Sequence, residues 1–173
     1  MMNAQEICRV FNGEFADINV RLISGADEPL YLPDTGDGAT IHFRSDFPSS
    51  AMHEVSHWCI AGSERRKLVD FGYWYAPDGR NTSQQNQFYG LEIKPQALEW
   101  ILSDAAGIAF NISADNLDGG DLGNLDAFTN NVIKQKQVYL QQGLPPRAQR
   151  FYNALRQSRE SRSSHAFEVA TPL

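Results

Sequence analysis

Along the chain, apolar residues recur with helical or strand periodicity between clusters of turn-forming residues. Ile7, Val10 and Phe11 fall at helical spacing and predict a short helix over residues 4–12. Residues 18–23 alternate apolar and polar positions with β-branched members and predict a strand. A turn follows at 24–29, and 30–32 form a second short strand. A Pro-Asp-Thr-Gly-Asp-Gly turn occupies 33–38, and 40–44 a third strand. A helix is expected to start near Ser49 or Ser50, either of which can cap it, and to stop at Gly62. The charged run Glu64-Arg65-Arg66-Lys67 reads as surface. Residues 71–75 read as an aromatic strand, and 78–87 as a polar loop. Beyond them the pattern is helical. One helix runs from Leu91 or Lys94 to Ala109, with Pro95 in its first turn. A Gly-Asp loop fills 115–126, and a second helix covers 126–142, closed by Gly143. After Pro145-Pro146 a last helix reaches Ser158. Strands early and helices late predict an α+β fold, with a small mixed or antiparallel sheet and several helices. Residues 1–160 form a single domain in this reading, and 161–173 a disordered tail.

Composition narrows the function classes. The 173 residues carry a formal charge of −6, which argues against general nucleic-acid binding. No apolar run is long enough to span a bilayer, and the first residues do not read as a secretory leader. Cys8 and Cys59 cannot build a disulfide framework, so a reducing, cytoplasmic setting is expected. No glycine-rich phosphate loop follows a strand. A cytoplasmic monomer with no membrane or direct nucleic-acid partner is the expectation.

The residues that carry chemistry are His53-Glu54-Val55-Ser56-His57, an H-E-x-x-H motif. On a helix, side chains four apart stack on one face, so the two imidazoles can converge on one metal ion. Met52, Val55 and Cys59 cover one side of this helix, and Ala51 and Trp58 another. It should therefore be buried, where two histidines and an acid need partners. The plain alternative is a pair of core histidines bonded to backbone. A third ligand is required, and Glu92 or Glu99 on the next helix can supply it; Gln96 would then hold Glu92 in place. His42, His165 and, as an outer partner, Asp104 are weaker candidates. By itself the motif fits a zinc metallopeptidase with Glu54 as general base, an iron oxygenase, or a non-catalytic remnant.

Longer blocks decide among these. Residues 53–62, Arg65-Arg66, 70–75, Pro77-Asp78-Gly79-Arg80, 92–98 and Asp115-Asn116-Leu117 together resemble the bacterial elongation factor P hydroxylases, from about residue 5 to 157. The resemblance implies a non-haem iron enzyme that uses Fe(2+) and O2, with a two-His-one-carboxylate site on a zincin-like scaffold. It implies His53, His57 and Glu92 as ligands. The implied reaction is hydroxylation of the β-lysylated lysine at the tip of elongation factor P, which becomes the partner. It gives no role to Glu54, which is placed at the reaction centre as a catalytic residue. For a long cationic substrate, Tyr73 and Tyr75 (with Trp74 between them) could stack on the chain, and Asp115 and Asp118 could attract it. The bland readings are a core strand and a solvated loop. Arg80, Arg65 and Arg66 read as surface charge or partner contacts. Arg147, Arg150, Arg156, Arg159 and Arg162 read as a contact to RNA or to the acidic body of the partner, or as the solvated face of a helix whose buried stripe is Phe151 and Leu155.

Overall fold

A computed structural model describes residues 1–70, 79–115 and 123–169, with side-chain surroundings up to residue 162. The fold is α+β. Helix α1 (Ala4–Glu14) starts at a capping box in which Asn3 and Glu6 exchange side-chain-to-backbone hydrogen bonds. It buries Ala4, Ile7 and Phe11, one face of a 3.6-residue repeat. A 3-10 turn leads into β1 (Val20–Ala26), followed by β2 (Leu30–Leu32) and β3 (Ala39–Arg44). The sheet order is β1-β3-β2: β2 pairs antiparallel with β3, and β1 runs parallel to it. The turn between β2 and β3 is fixed by Asp34, whose carboxylate accepts the amides of Gly36 and Gly38. Gly38 sits at φ +92, and a Cβ there would lie 2.5 Å from the Asn19 carbonyl, so only glycine lets β3 approach β1.

Helix α2 (Pro48–Ile60) packs on β3 and lies across from α3 (Thr82–Ala106). Its start differs from the sequence expectation. Phe47 is the N-cap, Pro48 opens the helix, and the Ser50 hydroxyl accepts the Arg44 amide, tying the helix to β3. Helices α4 (Leu125–Gln142) and α5 (Pro146–Val169) complete the chain, and α5 runs well beyond Ser158. Phe11, Phe15, Trp58 and Phe151 meet with ring centroids 4.7–6.5 Å apart at the centre of the main core. A smaller cluster between α3 and α4 is built on Tyr89 stacked upon Phe128 at 4.2 Å.

The largest departure from the sequence reading is α3. It starts at Thr82, where a loop was expected, behind an Asn81/Gln84 capping box. Pro95 therefore lies inside the helix, and Glu92 near its middle. Hydrophobic periodicity hides this helix because its buried stripe is partly polar: Gln85, Glu92, Gln96, Glu99 and Ser103 are all buried at helical spacing. The expected aromatic strand at 71–75 lies outside the described residues, as does the middle of the Gly-Asp loop.

Candidate metal centre

Two helices build the site. Helix α2 carries His53 and His57 one turn apart, with Met52, Val55 and Cys59 turned into the core, so both imidazoles face α3. The rings are 4.7 Å apart between centroids, and their Nε2 atoms 3.2 Å apart. Helix α3 brings Glu92, which is fully buried. One of its carboxylate oxygens is 3.1 Å from His57 Nε2 and the other 3.8 Å from His53 Nε2. Each of the three residues offers one ligand atom, all within 4.8 Å of one another. Glu99, two helical turns beyond Glu92, takes a different place: its carboxylate is 2.9 Å from His53 Nδ1.

That outer contact fixes the chemistry of the inner one. A carboxylate only accepts, so Nδ1 of His53 carries the proton, and in the neutral ring the Nε2 lone pair points toward His57 and Glu92. Two imidazole nitrogens and a carboxylate then converge with acids on both sides. The electrostatics agree. Burial pulls the His53 pKa down, but the carboxylates of Glu92, Glu99 and Glu54 outweigh it and hold the imidazole well above its ordinary value. Glu54 is pushed up by burial; the two imidazoles oppose that shift, and Glu92 and Asp70 add to it. With carboxylates on both sides of His53, the centre favours a positive charge. A divalent ion supplies that charge to a donor set of two imidazoles and one carboxylate, a set that leaves coordination positions open. The donor chemistry thus fits a metal ion.

A cavity of about 540 Å³ opens beside the pair. His57, Glu54 and Glu92 line it, with Ile41, Trp58, Ile60, Leu91 and Pro95 as an apolar wall. On another side Asp70 pairs with Arg65 at 2.7 Å and is tied to Tyr31 by two backbone hydrogen bonds, while the Tyr31 hydroxyl donates to the Arg66 carbonyl.

Several expected residues take other roles. Gln96 does not hold Glu92. Its amide exchanges two hydrogen bonds with the Ser113 backbone and so ties that stretch of chain to α3. Asp104 pairs with Lys136, and His42 contacts Thr40 on β3. Arg80 is not surface charge: it is 2% exposed, stacks on Phe88, and donates to Gln85 and to the Ala114 and Asp115 carbonyls. Asp115 is exposed, has φ 45, and does not line the cavity. Tyr73, Trp74, Tyr75 and Asp118 lie outside the described residues, as does the side chain of His165. The arginines of α5 mostly serve the fold. Arg147 donates to the Trp58, Cys59 and Ala61 carbonyls at the end of α2, and Arg150 pairs with Glu14 and Asp17. Arg159 donates to the Asp104 carbonyl, Arg156 pairs with Glu160, and Arg162 with Glu6. Sequence reasoning did not place Tyr31 and Asp70 at the site; only strand pairing brings them there.

Among the described residues, no helix is long and apolar enough to cross a membrane. Residues 10–168 match the family described as elongation factor P hydroxylase. Over 154 residues the chain is 49% identical to the elongation factor P lysine hydroxylase of Haemophilus influenzae, an overlap of 87% of this chain and 86% of that protein.

Proposed function

The chain belongs to the elongation factor P hydroxylase family, and from that premise we propose that it is an iron-dependent hydroxylase of the β-lysylated lysine of elongation factor P. His53, His57 and Glu92 would hold Fe(2+), and the observation behind this is their convergence within 4.8 Å. Bound there, Fe(2+) would supply dioxygen activation for placing one oxygen atom in a carbon–hydrogen bond, the other being reduced to water by two electrons from an external donor and two protons. The protein's own part is positioning. Glu99 accepts the hydrogen bond from His53 Nδ1–H, sets that ring's orientation and keeps Nε2 directed inward. Burial of Glu92 keeps water from competing for its carboxylate. Trp58, Ile60, Leu91 and Pro95 give the substrate an apolar channel, and Glu54 stands on its wall beside His57. Tyr73, Tyr75, Asp115 and Asp118 are proposed as outer contacts to the cationic substrate.

Family membership sets aside the zinc peptidase reading that H-E-x-x-H alone would allow. Both cysteines are free, which accords with action in the reducing cytoplasm, where the proposed substrate works. The test is intact-mass analysis of lysylated elongation factor P after incubation with the Fe(2+)-loaded protein, O2 and a reductant. A gain of one oxygen atom is expected, and none with metal-free protein. An unchanged mass, or peptide cleavage by a zinc-loaded form, would overturn the reading.

A further inference from the structure

The cavity beside the histidine pair has a charge inventory that points to what enters it. Of its acidic lining residues, Glu92 belongs to the ligand set and Asp70 is engaged by Arg65 at 2.7 Å. Of its cations, Arg66 donates to the Ala61 carbonyl at 2.5 Å, and Lys94 is exposed to solvent. Glu54 is left. It lines the cavity, and among the described residues its carboxylate makes no hydrogen bond and no salt bridge to Arg or Lys. A second feature lies on the opposite helix. Pro95 has no N–H to return to the Leu91 carbonyl one turn back, so that carbonyl lacks its i+4 helical donor, and both residues line the cavity. A carboxylate and a carbonyl over an apolar surface suit an ammonium group on an alkyl stem. The ammonium needs several acceptors, and the methylenes need the Ile41, Trp58 and Ile60 surface. At about 540 Å³ the space admits a whole extended side chain rather than a water cluster alone.

We propose that Glu54 is the substrate-binding acid of this enzyme: it receives an ammonium group of the substrate lysine chain, with the Leu91 carbonyl as a second acceptor, and thereby selects cationic over neutral side chains. The proposal rests on the hydroxylase reading above, but its first test does not depend on turnover. The full-length, Fe(2+)-loaded protein is titrated anaerobically by calorimetry with n-pentylammonium and with 1-pentanol, its neutral counterpart. The amine should bind about 10- to 100-fold more tightly, as for a hydrogen bond to a charged group. Glu54→Gln should close that gap while iron stays bound, and Glu54→Asp should restore part of it. With lysylated elongation factor P, Glu54→Gln should raise KM more than it lowers kcat. Equal binding of amine and alcohol by the unaltered protein, or a preference that survives Glu54→Gln, overturns the assignment. So does a fall in kcat with KM and amine binding unmoved, which would make Glu54 a proton-transfer group. If the amine preference depends on Glu54 but elongation factor P gains no oxygen, the function reading fails and the binding site stands.

Discussion

The two sides of α2 are built on opposite principles. One turns Val55, Trp58 and Cys59 into a core where Phe11 and Phe15 meet the indole and Phe151 packs on both phenylalanines. There stability comes from removing apolar surface from water and from edge-to-face ring contacts. The other side turns His53 and His57 toward the buried acids of α3 and Glu54 toward the cavity. Burying Glu92 costs free energy unless a cation compensates it, so this side spends stability that the aromatic side supplies. Rigid packing on one side of the helix holds a polar site on the other, without that site having to contribute to folding on its own.

The contrast yields graded tests. The largest effect should come from His57→Ala, which removes one of the three proposed ligands. Metal analysis should find the bound ion lost and hydroxylation abolished, while the aromatic core keeps the chain folded by near-UV circular dichroism. Unfolding of this variant would show that the two sides are not separable. Next, Phe151→Ala should cost about 3–5 kcal/mol in denaturant titrations, as for other large aromatic truncations. Metal stoichiometry in the surviving folded fraction should be unchanged. Glu99→Gln ranks third. Its amide oxygen can still accept the His53 Nδ1 proton, but the charge is gone, so metal affinity should fall about 10- to 100-fold by competition with a chelating dye. A loss as large as that of Glu92→Gln would mean that both acids serve as direct ligands. The smallest effect is expected from Arg156→Ala. Its partner Glu160 is exposed and one helical turn away, so neither thermal midpoint nor activity should change.

Legibility in the sequence follows the same division. The H-E-x-x-H spacing was sufficient to bring the two imidazoles together, because four residues along a helix is one turn whatever surrounds it. The three strands and the α+β class were readable from local alternation and turn chemistry. Helix α3 was not: its stripe of Gln85, Glu92, Gln96, Glu99 and Ser103 is buried yet polar, and hydrophobic periodicity misses it. The N-terminal capping pair Asn81 and Gln84 was the one local sign of where it starts. Arg80 and Arg147 read as surface charge because a sequence shows the cation and not the carbonyls that solvate it.

What the chain determines by itself is therefore the pair of histidines, the strands and the helices with apolar stripes, since each depends on residues a turn or a strand apart. Which acid faces the inner imidazole nitrogens was a tertiary decision. Glu92 and Glu99 lie two turns apart on one helix and are chemically alike. Only the packing of α3 against α2 places one carboxylate on the inner nitrogens and the other on the outer nitrogen of His53. Distance between helices, which no local pattern encodes, set the two acids at their different positions.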